Sequence, residues 1–447
     1  MNTKIQSISV NALWHQIRSR PLVWNTIITT FFSTAGKSVG FLIPFCIAVW
    51  FGVSSDTDAF FFVYSVVLFL AGIFSPITES VLVPFIAELK AQDESQVGKF
   101  LGKVLVLVTI GLVFLSVIFL LLSKHLLPYV TRFPPESLQL IFRLLVETAP
   151  LFILLVGTSI FSGALNAYKI FWLPAISPVF RATIVIFAIF LLKDSLGVHS
   201  ITIGYVIGEI FRLIILGVET FRRGILSLNL SVHVEPKLFE FLKKSFYQIS
   251  GMVAVAFNPI VDRTMASWLG GGNVSILEYA ERLYQMPLTL ISSGFFVVLL
   301  SHWSEDFYTG DKRVFRQGVM STTKIVGSIA LVLTALFLVV RYPVVGLVYG
   351  HGKFPTHYLP AVTTVWSLYL LGLAPTIVGL VCARAHLVLK NTKVFMRLGI
   401  LNCFLNIVLN IVLMGPFGIY GLAVSTTLSY TAVSAMLYLT FLKIKTT

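Results

Sequence analysis

Runs of about 20 apolar residues recur along the whole of this 447-residue chain, and they constrain its fold more than any other feature. A helix of about that length crosses the ~30 Å hydrocarbon core of a bilayer, where every backbone polar group must be satisfied internally. Only 12% of the residues are charged and 57% are hydrophobic. A water-soluble core of this size would need long polar segments to cover it, and the sequence has none. The reading is an all-α polytopic membrane protein. Cys46, Cys382 and Cys403 lie in apolar runs without metal-ligand spacing, and read as small buried hydrophobes. The first twenty residues are polar and mildly basic, with no small-residue cleavage site before the first apolar run.

The runs predict twelve spans, at about 23–51, 58–87, 100–122, 138–161, 173–192, 201–220, 246–269, 275–301, 319–341, 359–383, 398–414 and 418–441. Basic residues cluster in alternate loops. Arg222, Arg223, Lys237, Lys243 and Lys244 fall in the longest of these; Lys312, Arg313 and Arg316, then Lys390, Lys393 and Arg397, fall in later ones. That is the positive-inside pattern, and it places both termini in the cytoplasm. It also accounts for the net charge of +14. No single basic face interleaved with aromatics is present, so no nucleic-acid partner is expected.

The two halves echo one another. Ala149-Pro150 matches Ala374-Pro375, and Asn166 to Phe171 matches Asn391 to Phe395. Gly204 sits opposite Gly421, and Trp50 to Gly52 matches Trp268 to Gly270. The expected organisation is an N-terminal six-helix lobe (1–221), a cytoplasmic linker (222–245) and a C-terminal six-helix lobe (246–447). An even number of spans per half keeps the repeats parallel, related by a pseudo-twofold axis. That is a transporter architecture, with the binding site between the repeats.

Ionisable groups inside spans cost roughly 2.5–3.5 kcal/mol each on insertion scales, so they face water, a ligand or one another. Asn258 to Pro287 reads as a helical hairpin turning at Gly270-Gly271-Gly272, with Asp262, Arg263, Glu278, Glu281 and Arg282 near its tip. Elsewhere Lys37, Arg181, Glu209 and Arg212 lie within spans, and Arg143 lies near the end of one. Glu209 and Arg212, three apart, share a helix face and read equally as a structural pair or as part of a site. Arg263 reads equally as a cavity group or as a side chain snorkelling to the interface. Glu281 reads as an ion-coupling carboxylate or as a partner for a nearby arginine. Gly72 and Pro76 interrupt the second span. Together with Pro150 and Pro375 they are candidate hinges, or ordinary packing kinks.

GVSSDTDAFFFVY followed by VPFIAELK, the GALNAY turn, and VDRTMASWL with VSILEYAERLYQMPL resemble the MurJ/MviN family of lipid II flippases, within the multidrug/oligosaccharidyl-lipid/polysaccharide exporter superfamily. The resemblance covers essentially the whole chain. It implies a V-shaped, two-lobe bundle in a bacterial cytoplasmic (inner) membrane. Such a bundle would move an undecaprenyl-diphosphate-linked glycan to the outer leaflet for cell-wall or surface-polysaccharide synthesis, alongside the enzymes of that synthesis. It implies a transporter, not an enzyme, and no cofactor; the drive is left open between membrane potential, H⁺ and Na⁺.

By the resemblance, Asp58 matches the acidic residue opening the second span, Lys37 stands where the family has an arginine, Asp262 matches the aspartate of span 7, and Glu281-Arg282 matches an Asp-Arg pair. Ile43-Pro44 departs from an Arg-Asp pair, Leu68–Ser75 lacks the family's arginines, and the family usually carries two further helices. The cargo is therefore lipid II or a related lipid-linked oligosaccharide. A diphosphate carries about two negative charges, which hydrocarbon does not solvate. The expected phosphate-facing cations are Lys37, Arg181, Arg212, Arg263 and Arg282, with Asp58, Glu209, Asp262 and Glu281 as cavity or coupling carboxylates. Moving two negative charges outward across an interior-negative membrane gains about 4.6 kcal/mol per 100 mV. The competing functions are a small-molecule or drug exporter of the same superfamily and a membrane glycan polymerase or ligase.

Overall fold

The fold comes from a computed structural model, which describes residues 21–227, 236–309, 312–389 and 391–444. Among them every regular element is helical. The N-terminal lobe comprises α1 (Pro21–Phe51), α2 (Ser55–Ile77), a π-helical turn (Thr78–Leu82), α3 (Val83–Gln92), α4 (Glu94–Val130), α5 (Pro135–Ala167), α6 (Trp172–Leu196) and α7 (His199–Arg222). The C-terminal lobe comprises α8 (Pro236–Ser267), α9 (Asn273–Thr309), α10 (Lys312–Val339), short α11 (Arg341–Tyr349), α12 (Leu359–Leu371), α13 (Leu373–Val388), α14 (Thr392–Phe417) and α15 (Ile419–Lys443).

Each expected span corresponds to one helix or to one interrupted pair. Among the described residues, eight helices are individually long and apolar enough to cross a membrane, and α12 with α13, bent by 42°, makes a ninth. The ionisable groups of the hairpin sit on α8 and α9, which meet the other lobe.

The packing is duplicated. In the N-terminal lobe α1 packs on α6, α2 on α5, and α5 and α6 on α7; in the C-terminal lobe α8 packs on α14, α9 on α12 and α13, and α13 and α14 on α15. Between lobes α1 meets α9 and α2 meets α8, the exchange that a twofold axis produces. The turns repeat too. Gly197 (φ 54°) and Gly418 (φ 56°), 221 residues apart, adopt the same left-handed conformation, which a side chain would strain. The Ile170 N–H donates to the Leu165 carbonyl at 2.9 Å, and 221 residues on Asn391 does the same to His386 at 3.0 Å. At this spacing the counterpart of Gly204 is Ser425, not the expected Gly421, and the glycines that repeat are Gly197 and Gly418.

The turns at 52–54, 131–134, 197–198, 270–272 and 350–358 share one face of the bundle, the tip face. The opposite, linker face carries the turns at 93, 168–171 and 223–227. Helix α8 begins against the N-terminal lobe, where Leu238 and Phe241 join the cluster around Phe85 and Phe100, and it ends in the C-terminal lobe. Residues 228–235, within the expected linker, lie outside the described residues.

The expected hinges differ from one another. Pro150 is exposed inside an uninterrupted α5. Pro375 lies just beyond the 42° break at Gly372. Helix α2 carries Gly72, half-buried, and gives way after Ile77 to the π turn; the side chain of Pro76 lies outside the described residues. That turn presses on α5, where a Cβ on Gly163 would come within 2.3 Å of Thr78 Cγ2.

Candidate functional site

Three polar clusters lie within the apolar bundle. The first is in the N-terminal lobe. Glu209 on α7 is wholly buried, and its carboxylate accepts from Arg212 Nη1 at 3.1 Å, Arg181 Nη1 at 3.3 Å and the Thr158 hydroxyl at 2.6 Å. Arg212 Nε also donates to the Ser177 hydroxyl at 3.0 Å. Helices α5, α6 and α7 thus converge on one carboxylate shared by two guanidiniums. The cluster carries one surplus positive charge, and Arg181 Nε is buried without a partner among the described residues.

The second cluster lies across the interlobe seam, in the hairpin. Arg263, 4% exposed, donates to Glu278 at 2.6 Å and also pairs with Glu281. Arg282 Nε donates to the other Glu278 oxygen at 2.6 Å. Two arginines and two glutamates cancel. Arg263 is therefore inside the hairpin, clamping α8 to α9, and neither snorkels nor faces a chamber as a free cation. Arg282 reaches the seam: its guanidinium sits 5.8 Å over the Tyr64 ring of α2, and Tyr64 packs 4.9 Å from Tyr205 of α7. Arg181 lies beside the same two tyrosines. Arg181 and Arg282, from opposite lobes, therefore flank one aromatic pair.

The third cluster is in the C-terminal lobe. Asp262 is adjacent in sequence to Arg263, so its side chain turns another way, into α14 and α15. It accepts from Asn410 Nδ2 at 2.8 Å and the Thr426 hydroxyl at 3.2 Å. Asn402, Asn406 and Asn410 line one face of α14, and Asn258 stands one turn before Asp262. Among the described residues, amide oxygens of Asn258, Asn402 and Asn410 and the hydroxyls of Ser425 and Ser429 are buried without hydrogen-bond partners. Asp262 is thus a buried carboxylate held by one amide and one hydroxyl, with further unpartnered oxygens on α8, α14 and α15.

Asp58, expected among the cavity carboxylates, is placed elsewhere. It is 1% exposed and caps α9 from the other lobe. Its oxygens accept from Gly272 N–H at 2.5 Å, Ser275 N–H at 2.7 Å and the Ser275 hydroxyl at 2.5 Å. The first turn of a helix leaves N–H groups unpaired and favours negative charge. Here α2 supplies that acceptor, so the cap closes only when the lobes meet at the tip face.

Further contacts seal the same face. Tyr279 donates to the Gly52 carbonyl at 2.8 Å, and Lys353 N–H donates to the Val49 carbonyl at 2.8 Å. The chain passes so close that a Cβ on Gly352 would come within 2.2 Å of that carbonyl oxygen. Among the described residues the interlobe hydrogen bonds lie at the tip face, save Lys237 to Gln92 where α8 starts. Lys37 lies on α1, and its side chain is outside the described residues.

The model for the family described as lipid II flippase MurJ matches residues 47–446. The chain belongs to the MurJ family. A probable lipid II flippase MurJ from Buchnera aphidicola (subsp. Acyrthosiphon pisum) is 26% identical over 92% of this chain and 81% of its own length. A solved lipid II flippase MurJ in an inward closed conformation is similar with a TM-score of 0.77 and 23% identity, covering 93% of this chain and 87% of that one. An inward-facing multidrug transporter of the MATE family shares the fold at a TM-score of 0.76 and 14% identity, covering 93% of each chain. This MurJ-family chain is thus a two-lobe exporter bundle and a transporter.

Sequence reasoning missed three parts of these clusters. Thr158 and Ser177 carry no signal of their own in apolar helices. The tyrosine pair joins residues 141 positions apart. The asparagines of α14 were legible, since an amide every fourth residue in a span marks one polar face.

Proposed function

We propose that this chain moves an undecaprenyl-diphosphate-linked glycan, lipid II or a related lipid-linked oligosaccharide, between the leaflets of the bacterial cytoplasmic membrane by alternating access. In this reading the linker face and both termini are cytoplasmic, and the cargo leaves toward the outer leaflet. One observation carries the reading: a half-buried surplus of positive charge in the N-terminal lobe faces Arg282 across Tyr64 and Tyr205, under a seam closed at the tip face. Arg181 and Arg282 are placed to take the two phosphates, as guanidiniums suit bidentate contact. Glu209 and Glu278 hold the same arginines when cargo is absent, so the site does not reset as bare buried charge. Lys37 would add a cation on α1.

Opening at the tip face has to break the Asp58 cap and the Lys353 strap. Asp262 with its orphaned oxygens is the proposed coupling site, taking Na⁺ or H⁺; membrane potential adds its bias on the diphosphate. Family membership favours this cargo over a drug or a polymerisation reaction.

Rescue of a MurJ-depleted bacterium tests the reading. Growth restored by the chain, and lost with Arg181→Ala plus Arg282→Ala at equal membrane abundance, is the expected result. No rescue would remove lipid II. Transport of another undecaprenyl-diphosphate glycan in vesicles would then identify the related cargo, and failure of both would end the proposal. Cysteine labelling from one side of the membrane at the 93 and 197 turns checks the orientation.

A further inference from the structure

Away from the seam, α4 and α5 carry a feature that the transport reading does not use. Toward the tip face they enclose a cleft of about 340 Å³ lined by Lys124, Leu127, Pro128, Gln139, Phe142 and Arg143. Nearer mid-membrane a smaller apolar pocket of about 70 Å³ opens between α4, α5 and α2, against Val66, Phe119, Leu120, Leu145, Ala149 and Phe152. The two lie on one stripe. Phe142, Leu145, Ala149 and Phe152 recur every three or four residues on α5, and Ser116, Leu120, Lys124 and Leu127 do so on α4, so each set shares a helix face.

The cations at the upper end are unusual in a chain whose basic residues gather at the other face. Arg143 is the ninth residue of α5, about 12 Å below its start, and Lys124 is about 9 Å below the end of α4, at 1.5 Å per residue. Neither makes a salt bridge or hydrogen bond among the described residues. The acid best placed for Arg143 is Glu147, one turn on. It is turned to α7 instead, where His199 Nδ1 lies 2.7 Å from it and the Thr202 hydroxyl donates at 2.5 Å. Two cations at headgroup depth above an apolar slot are the complement of an anionic amphiphile.

We propose that this cleft between α4 and α5 is a binding site for an anionic phospholipid of the leaflet bordering the tip face. The phosphodiester lies between Lys124 and Arg143 near Gln139, and one acyl chain runs down the stripe past Ala149. Under the orientation proposed above, that is the outer leaflet. The site lies in the N-terminal lobe alone, so its occupancy does not depend on which state the lobes adopt.

The test is native mass spectrometry of the full chain released from vesicles of phosphatidylglycerol and phosphatidylcholine. Wild type should retain one phosphatidylglycerol that the Lys124→Gln, Arg143→Gln double variant does not. A basic residue near anionic lipid is worth about a fivefold preference, so the double change should lower that adduct by up to roughly 30-fold. Both side chains are exposed, so the variant should fold. Ala149→Phe, which fills the chain slot and leaves the cations, should lower the same adduct independently. Unchanged retention in both variants would overturn the proposal. So would displacement of the lipid by equimolar undecaprenyl diphosphate, which would assign the cleft to cargo. Retention is read without transport, so failure to rescue growth and failure of this site are separate results.

Discussion

The two lobes share one scaffold and carry opposite charges on it. At the 221-residue spacing of the repeated turns, Arg181 of α6 corresponds to Asn402 of α14, and Tyr205 of α7 to Thr426 of α15. In the N-terminal lobe the scaffold holds two arginines on Glu209, a net cation. In the C-terminal lobe it holds Asp262 among amides and hydroxyls, a net anion. A duplicated fold thus carries a surplus cation in one lobe and a surplus anion at the corresponding place in the other. The backbone tolerates either because each cluster is small and held between helices.

Glu209→Gln should break this division most severely. It leaves the half-buried Arg181 and Arg212 without their wholly buried counter-charge, and removing one partner of a fully buried pair costs about 3–5 kcal/mol, which is the upper bound here. Thermal unfolding in detergent should show a drop of many degrees. A variant as stable as wild type would mean that solvent reaches the cluster and that Glu209 is not its keystone.

Asp262→Asn should behave in the opposite way. The replacement keeps the shape and can still bond to Asn410 and Thr426, so stability should move by only about 1 kcal/mol. Transport should instead lose its dependence on Na⁺ or on pH, measured as flipping in vesicles with each gradient imposed in turn. Retained dependence on an ion gradient would move the coupling site away from the C-terminal lobe.

How much of this was legible in the sequence depends on the range of the physics involved. The all-α class and the two-lobe repeat follow from apolar length and local echoes, and they stand in the structure; of the twelve expected spans, nine pass on length and apolarity among the described residues. The local pair Glu209–Arg212 was also readable, because i and i+3 share a helix face. Partners across the lobe were not. Nothing near Asp58 says that its carboxylate ends on Gly272 and Ser275, 214 and 217 residues away. Nor does local sequence say that Arg263 is taken by two glutamates of the next helix instead of snorkelling. A lone charge in a span announces that it needs a partner; only the fold says which.

Asp58→Asn tests the joint between the lobes, and its effect should be intermediate. The cap has three bonds to a carboxylate, and its loss should cost about 1–2 kcal/mol of the closed tip face. That shifts the population between states by roughly five- to thirtyfold. A Cβ on Gly271 would stand 3.6 Å from Ser55 Oγ in the closed form, so a disulfide between Ser55→Cys and Gly271→Cys reports closure. Its rate should fall severalfold with Asp58→Asn. An unchanged rate would leave the Lys353 strap as the main seal.

The smallest effect should come from the proline pair, where the repeat looks symmetric in sequence and is not in shape. Pro150 is exposed in a continuous α5, and replacing it with Ala restores a backbone donor in an intact helix, so stability and flipping should change little. Pro375 stands three residues past Gly372, at the start of α13, where a missing N–H is tolerated and the chain already bends by 42°. Pro375→Ala removes one constraint on that break, because α12 can then continue into α13 without a steric clash. The expected result is a modest, severalfold slowing of transport for Pro375→Ala and none for Pro150→Ala, in the same vesicle assay. Equal slowing in both would show that the two prolines flex as a matched pair, despite the unbroken helix around Pro150. Equal indifference would place the moving part of the C-terminal lobe at the Gly372 break itself, independent of the proline that follows it.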